Sequence, residues 1–146
     1  MTFKILGVGH ALPETCVSNA EFIAQYELDS TPEWIESRTG IQQRYVANPD
    51  ETTATLAAEA AMRACNAAGI APDAVDGVVV ATCTPDVTFP AVATMVQQAL
   101  GLKPGSMALD INAACSGFIN GLQVAEGWIV TGAANTVLVV GAECFS

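Results

Sequence analysis

Positive charge is scarce in this sequence. Of its 146 residues only five are lysine or arginine, against 15 aspartates and glutamates, so the formal net charge is −10. A surface with this balance repels phosphate backbones, and we expect no nucleic-acid partner. Because 51% of the residues are hydrophobic, we expect a soluble globular chain with a substantial core, of the length of one ordinary domain.

Histidine is scarcer still, and the cysteines form no recognisable metal or disulfide pattern. The only histidine is His10, and the five cysteines include no CxxC pair. They are Cys16, Cys65, Cys83, Cys115 and Cys144. An odd number of scattered cysteines argues against a disulfide framework and a zinc site, so we expect no bound metal and a reducing, cytoplasmic setting.

Targeting and membrane-spanning patterns are lacking as well. The N-terminus MTFKILGVGHALPE has no basic region followed by a long apolar run and a small-residue cleavage site, so it does not resemble a signal peptide. The apolar segment 111–130 contains Asn112, Asn120, Gln123 and Glu126, which are unfavourable in a bilayer. This segment predicts a buried helix, and we expect no membrane association.

Strand and helix patterns alternate along the chain. Strands are predicted at 3–9, 41–46, 76–84, 106–111 and 135–142. Helices are predicted after Ser18 or Asn19, from an N-cap at Ser30 or Thr31 to Gly40, from Thr53 to Ala68, at 91–100 and after Cys115. This alternation predicts an α/β fold with a mostly parallel sheet flanked by helices. The sequence ends at GAECFS, directly after an apolar strand, and we therefore expect a fragment of a larger protein.

Cys115 lies where a strand pattern changes into a helix pattern, in LDINAACSGFINGLQ. The start of a helix presents unpaired N–H groups and a partial positive charge, both of which favour a thiolate nucleophile. The N–H of Cys115 could also stabilise an oxyanion on a bound acyl group. For the other four cysteines we expect the commoner role of a small buried hydrophobe. A cysteine nucleophile usually needs a histidine partner, and no local pattern supports His10 as that base rather than as a loop residue.

The helix after Cys115 carries small residues at four-residue spacing: Gly117, Gly121 and Ala125. This stripe permits close approach of another helix, and we expect that neighbour to lie outside the chain, so that the stripe is exposed in the isolated fragment. Since the helix is apolar on nearly all sides, we expect it to be buried in a larger protein and the nucleophile to be held rigidly in a largely dry site.

Several ordered motifs together resemble the N-terminal half of the β-ketoacyl-[acyl-carrier-protein] synthase III group of thiolase-like condensing enzymes. They are PEWIESRTGIQQR, TFP, NAACSGF and VLVVGAE. The resemblance covers essentially all of residues 1–146. It implies one half of a five-layer α-β-α-β-α fold with a mostly parallel mixed sheet, and a second half, carrying the catalytic His and Asn, that this chain does not contain.

The resemblance also implies roles for four residues. Cys115 would accept an acyl group from acyl-coenzyme A as a thioester, and condensation with malonyl-acyl-carrier protein would follow. Trp34 would stack on the adenine of coenzyme A, and Arg38 would contact its nucleotide. Phe89 would reach into the acyl pocket of the partner in a homodimer. The alternative roles are structural: Trp34 as an anchor of its helix and Phe89 as a core aromatic.

The function implied is therefore an acyltransferase that initiates fatty-acid synthesis, with acyl-coenzyme A and acyl-carrier protein as partners and no resident cofactor. Two alternatives stay open at this point. One is a related cysteine acyltransferase that primes a polyketide or another secondary pathway. The other is a non-catalytic interaction subunit that retains the half-fold and pairs with an active partner.

Overall fold

The structure, a computed structural model, describes residues 3–145 and divides into two compact units. The smaller unit comprises residues 12–51, and the larger combines residues 3–11 with 52–145. That residues 1–146 form a single half-domain of a larger protein stays a prediction. Among the described residues, no helix has both the length and the hydropathy needed to cross a bilayer.

The smaller unit contains two helices and a two-stranded antiparallel sheet. Its elements are β1 (Thr15–Ser18), α1 (Asn19–Tyr26), α2 (Pro32–Thr39) and β2 (Gln43–Val46). Both predicted helices are confirmed, because their signals are local: the Ser18 side chain caps α1 together with Glu21, and the Thr31 side chain accepts the Trp34 N–H at the start of α2. The predicted strand at 41–46 is confirmed as β2, whereas its partner β1 was not predicted.

The larger unit is built on three parallel strands in the order β4-β3-β5. Its elements are α3 (Thr53–Ala68), β3 (Gly77–Ala81), α4 (Val92–Leu100), β4 (Met107–Ile111), α5 (Gly117–Val130) and β5 (Val137–Gly141), with 3₁₀ turns at Pro72–Ala74 and Ala114–Ser116. These elements confirm the predicted α/β alternation. The parallel sheet follows because each strand is joined to the next by a crossover that contains a helix.

Central strand β3 is buried along its whole length and alternates between two cores. Val78 and Val80 belong to the cluster formed with α3 and α4, to which α3 contributes Ala57, Ala61 and Cys65. On the other face, Val79 lies against Gly121 of α5. The period of two in a strand therefore gives β3 one row of side chains for each layer of helices.

The first N–H groups of helices α3 and α4 are bound by carboxylates that are distant in sequence, one from a loop and one from a strand. Asp86 accepts hydrogen bonds from the N–H groups of Thr53 (2.9 Å) and Ala54 (2.9 Å) at the start of α3. Asp110, on β4, accepts from the N–H groups of Val92 and Ala93 at the start of α4, both at 2.7 Å. A carboxylate at this position satisfies otherwise unpaired N–H groups and complements the helix dipole. These caps tie both helices to the sheet.

The predicted strand at 3–9 is wrong. Within the described residues the segment has no hydrogen-bonded neighbouring strand, and it lies along α3 instead. Its glycines allow this approach: a Cβ built on Gly7 would lie 2.6 Å from the backbone nitrogen of Ala68. Ile5 and Val8 remain 65% and 75% exposed. An apolar run alone predicts burial in a sheet, but a strand also needs a partner for its backbone groups.

The prediction for the small-residue stripe of α5 is also wrong. Gly117, Gly121 and Ala125 are buried and pack within this unit. A Cβ added to Gly117 would lie 3.0 Å from the Cβ of Ala81, and one added to Gly121 would lie 3.0 Å from Val139 Cγ1. The stripe lets α5 approach the sheet closely. The apolar side chains that α5 exposes lie on a different face of the helix.

Candidate active site

The site is built at the carboxyl-terminal edge of the three-stranded sheet. There the chain leaves β3 into residues 82–84, β4 into the turn that holds Cys115, and β5 into residues 142–144. Thr82 N–H donates to Ile111 O (3.0 Å), and Ala142 N–H donates to Ala81 O (3.1 Å). The chain segments that leave the three strands are therefore still hydrogen-bonded to the neighbouring strand. In parallel α/β sheets this edge is where ligands bind, because the strand ends converge on it.

Cys115 lies in the 3₁₀ turn Ala114–Ser116, directly before α5. Ser116 N–H and its hydroxyl both donate to Ala113 O, at 3.1 and 2.8 Å, which fixes the turn. No described side chain caps the start of α5, so the positive end of the helix is left beside the thiol. The predicted position of Cys115 at a strand-to-helix junction is confirmed.

The turn is also strained immediately before Cys115. Ala114 has φ of +45°, in the left-handed region that residues with a Cβ rarely occupy. Such a conformation costs a non-glycine residue about 1–2 kcal/mol, and it persists because its surroundings hold it. The expectation of a largely dry site is not met within this chain, since Cys115 is exposed.

A carboxylate that sequence reasoning missed joins two of the strand ends. Glu143 accepts hydrogen bonds from Cys83 N–H (2.8 Å) and from the Thr84 hydroxyl (2.6 Å). Thr84 Oγ1 in turn accepts from Cys144 N–H (3.0 Å). Polar residues that directly follow apolar strands were the available signal, because parallel strands end at a common edge.

The thiol of Cys83 extends this network to the loop that contains Cys115. Cys83 Sγ lies 3.2 Å from Asn112 Oδ1, to which it donates, and Asn112 is three residues before Cys115. The expectation that the other cysteines are buried hydrophobes holds only for Cys65, where burial raises the pKa of the thiol. Cys16 and Cys83 are exposed, and Cys144 is half-buried.

Trp34 and Arg38 lie on α2 in the smaller unit, four residues apart on one helix. Asn19 holds this helix in place, because its side-chain amide donates to the carbonyl of Pro32, the first residue of α2 (3.5 Å), and to that of Ile41, just after its last residue (2.7 Å). Trp34 is 57% exposed, which argues against the alternative that it only anchors the helix. Among the described residues Arg38 has no ion-pair partner.

An open hollow of about 380 Å³ lies beside Trp34 and is lined by Asp29, Ser30, Thr31 and Trp34. The hydroxyl oxygen of Ser30 is buried and has no hydrogen-bond partner among the described residues. A buried hydroxyl without a partner is unfavourable. The hollow therefore offers an exposed aromatic face, whereas the buried Ser30 oxygen is not accessible from it.

Phe89 lies in the loop between β3 and α4 and is 88% exposed. Its alternative role as an ordinary core aromatic is therefore wrong within this chain. His10 is an exposed loop residue whose carbonyl accepts a hydrogen bond from Arg63 Nη1 (2.8 Å). This is the ordinary role expected for it from the sequence.

The comparisons with known proteins agree with the motifs. The family model of 3-oxoacyl-[acyl-carrier-protein] synthase III matches residues 109–146, which include Cys115. A β-ketoacyl-[acyl-carrier-protein] synthase III of Jannaschia sp. is 51% identical over 141 residues, covering 97% of this chain and 43% of that relative. The chain belongs to the β-ketoacyl-[acyl-carrier-protein] synthase III family. It spans less than half the length of the curated synthase III relatives that it matches, and it corresponds to their N-terminal half.

Solved structures place the fold in the same synthase III group. The 3-oxoacyl-[acyl-carrier-protein] synthase III of Aquifex aeolicus VF5 superposes with a TM-score of 0.87 at 41% identity, over 96% of this chain and 44% of that one. The priming β-ketosynthase of the R1128 polyketide pathway gives 0.87 at 40% identity, over 96% and 41%. The α/β architecture is thus one half of a thiolase-like fold.

Proposed function

We propose that this chain carries the nucleophile of an acyltransferase that initiates fatty-acid synthesis. The observation that carries the proposal is Cys115 itself: an exposed thiol on a strained turn, at the positive end of α5 and at the carboxyl edge of a parallel sheet. The names of the family's members, which describe synthases acting on acyl-carrier protein, support this reaction class. We propose a cytoplasmic location on the same basis.

In the first step, the Cys115 thiolate attacks the carbonyl carbon of an acyl-coenzyme A. A new carbon–sulfur bond forms to Sγ, the bond to coenzyme A breaks, and coenzyme A leaves with the electron pair and takes up a proton. The N–H groups at the start of α5 face the developing negative charge, which an oriented dipole stabilises. Exchange of one thioester for another needs no resident cofactor.

In the second step, malonyl-acyl-carrier protein loses CO₂, and the electron pair of the broken carbon–carbon bond attacks the acyl group on Cys115. The bond to Sγ breaks, and a 3-oxoacyl-acyl-carrier protein leaves. The chain has one histidine, His10, which lies in an exposed loop. We therefore assign the acylation step to residues of this chain and the acid–base chemistry of condensation to groups outside it.

We propose that Trp34 and Arg38 bind coenzyme A. The exposed indole provides a face on which a base can stack, and an unpaired guanidinium binds phosphate. The open hollow beside Trp34 provides room for a ligand at this position.

We also propose that the protein acts as a homodimer. Phe89 supports this, since an aromatic side chain that is 88% exposed is unfavourable in water and is typical of residues that insert into a partner. In this arrangement it would enter the acyl pocket of the second subunit.

The first test measures acetyl transfer to the complete gene product. Incubation with acetyl-coenzyme A should add one acetyl group, located at Cys115 by peptide mapping, and Cys115→Ala should abolish the adduct. Cys16→Ala is the matched control, because Cys16 is also an exposed thiol. Acetylation that survives in Cys115→Ala, or that maps to another residue, would refute the proposal. Absence of any adduct on the wild-type protein would favour the interaction-subunit alternative.

The second test separates coenzyme A binding from chemistry. Trp34→Ala should raise the half-saturating concentration of acetyl-coenzyme A by about tenfold or more, since stacking on a base contributes about 1–3 kcal/mol. Tyr26→Ala, which removes another exposed aromatic of the smaller unit, should leave it unchanged. An unaltered value in Trp34→Ala would remove the adenine-stacking role.

The polyketide alternative is favoured by one observation, the close superposition on the R1128 priming ketosynthase. Both enzymes would form the same acyl-Cys115 intermediate, so the distinction lies in the acceptor. Purified acetylated protein should pass its acyl group to a malonylated fatty-acid carrier protein faster than to a polyketide carrier protein. The reverse preference would establish the polyketide role.

A further inference from the structure

The loop that carries Cys115 is held by a chain of hydrogen bonds that begins at Glu143. One carboxylate oxygen, Oε1, accepts from Cys83 N–H at 2.8 Å, and the other, Oε2, accepts from the Thr84 hydroxyl at 2.6 Å. The hydroxyl of buried Thr82 lies 3.4 Å from Oε2 as well. One side chain at the end of β5 thereby fixes the path of residues 82–84 at the end of β3.

The Thr84 hydroxyl has a defined direction in this network. Its oxygen accepts from Cys144 N–H at 3.0 Å, and its single proton is donated to Glu143 Oε2 at 2.6 Å, because an ionised carboxylate can only accept. An acceptor with a negative charge makes this bond stronger than one between neutral groups. A carboxylate is therefore a better acceptor for the donors of this loop than a neutral amide, which has only one acceptor oxygen.

From residues 82–84 the network reaches the nucleophile's own loop. The Cys83 thiol donates to Asn112 Oδ1 at 3.2 Å, and Asn112 and Cys115 belong to the same short connection between β4 and α5. The same connection contains Ala114, held at φ of +45°. A strained turn keeps its conformation only when its surroundings fix it, and the Cys83 thiol holds the side chain of Asn112, two residues before Ala114.

We propose that Glu143 is a positioning residue for Cys115, acting through Cys83 and Asn112. This inference rests on the proposed acyltransferase function. Cys83 thus has a role distinct from that of the nucleophile: its thiol is a hydrogen-bond donor that locks the loop. Displacement of a reacting group by about 1 Å can slow a reaction by about 100-fold, so loss of this tie affects the rate of acylation more than the binding of the donor.

The experiment compares four variants of the complete gene product. Glu143→Gln keeps the shape but leaves one acceptor oxygen for the donors of Thr82, Cys83 and Thr84, and Cys83→Ala removes the donor to Asn112. Cys83→Ser restores a donor at that position. Glu126→Gln is the control for charge, since Glu126 lies on α5 without a hydrogen-bond partner among the described residues. The measurements are the saturation curve of Cys115 acetylation and the hydrogen exchange of residues 112–117.

Glu143→Gln and Cys83→Ala should lower the maximal acetylation rate by about tenfold or more, with an unchanged half-saturating concentration and faster exchange at 112–117. Cys83→Ser should recover most of the rate, and Glu126→Gln should match the wild type. A wild-type rate and exchange in Glu143→Gln would overturn the inference, as would equal defects in Cys83→Ala and Cys83→Ser. If Glu143→Gln does not fold, the two Cys83 variants decide the question.

Failure of the proposed function is distinguishable from failure of this inference. If acetyl-coenzyme A leaves the wild-type protein unmodified, the acyltransferase proposal fails, and iodoacetamide then replaces it as the probe of Cys115. Faster exchange at 112–117 with an altered alkylation rate of Cys115 in Glu143→Gln would still support the positioning role. Unchanged exchange and alkylation would overturn that role as well.

Discussion

At each edge of the three-stranded sheet, one carboxylate joins neighbouring loops through hydrogen bonds, but the two carboxylates have different roles. At the amino-terminal end, Asp76 joins the loops before β4 and β5; at the carboxyl-terminal end, Glu143 joins the exits of β3 and β5. The first tie is closed by an ion pair with Lys103. The second lies next to the loop of the strained Ala114 and the exposed Cys115. One carboxylate therefore stabilises the fold, and the other is the one that we propose positions Cys115.

The Asp76 carboxylate accepts hydrogen bonds from three donors. They are Lys103 Nζ and the N–H groups of Asn135 (2.7 Å) and Thr136 (3.0 Å). The hydrogen bond from Lys103, followed by those from the two N–H groups, lowers the pKa of Asp76 to about 2. The carboxylate is thus much better stabilised in the folded protein than in the unfolded chain.

Removing the first tie should have the largest effect on stability. Asp76→Ala leaves two N–H groups and an ammonium without their acceptor, and we expect the free energy of unfolding to fall by about 2–3 kcal/mol. The acetylation rate of the folded molecules should be unchanged. Thermal or urea unfolding of the complete gene product, with the acetylation assay below the transition, measures both.

Asp73→Ala is the matched control, since Asp73 is an exposed aspartate in the neighbouring 3₁₀ turn. It should change stability by less than about 0.5 kcal/mol. A folded Asp76→Ala protein that acetylates Cys115 as slowly as Glu143→Gln would show that the two ends of the sheet are not independent.

Protonation of Asp76 at low pH should weaken the same hydrogen bonds in the wild-type protein. The pKa of Asp76 is about 2 in the folded protein and close to 4 in an unfolded chain, so the unfolded chain binds the proton more readily. The stabilisation is fully present above about pH 4 and is lost as the pH falls towards 2, by at most about 2 kcal/mol because water screens the half-exposed Lys103.

The pH effect is measured as the difference in unfolding free energy between wild type and Asp76→Asn at each pH. This difference should shrink from pH 5 to pH 2. A constant difference over that range would contradict the assignment of the low pKa to this carboxylate.

The smallest change in stability is expected at the carboxyl-terminal edge of the sheet, in the turn before Cys115. Ala114→Gly removes the penalty of a Cβ at positive φ, and we expect stability to rise by about 0.5–1 kcal/mol. The acetylation rate should fall, because a glycine turn holds Cys115 less rigidly. Hydrogen exchange and the saturation curve of acetylation report these effects separately.

Gly127→Ala is the matched control for Ala114→Gly. Gly127 is exposed on α5, and a Cβ there would meet nothing within 4 Å, so the alanine should raise stability by about 0.5–1 kcal/mol and leave acetylation unchanged. If both variants acetylate like the wild type, the strained turn does not position the nucleophile.

Local signals let the sequence by itself determine most elements of this protein. The predicted limits of α3, Thr53 and Ala68, match the structure because Thr52 and Gly69 act within one turn of the helix ends. The position of Cys115 before α5 was predictable for the same reason, as was the buried strand β3. The ordered motifs PEWIESRTGIQQR, TFP, NAACSGF and VLVVGAE together also indicated the family from the sequence alone.

Tertiary structure decided which surfaces meet. The small residues of α5 predicted a close contact but not its partner, which is the sheet rather than another helix. The run at 3–9 has the composition of a strand, yet within residues 3–145 no strand pairs with it, and its glycines pack on α3. Glu143 and Asn112 are 31 residues apart in sequence, and only the parallel order β4-β3-β5 brings their strand ends to one edge. Local sequence fixes backbone conformation through nearby caps and periodicity, whereas the pairing of distant groups depends on the packing of the whole sheet.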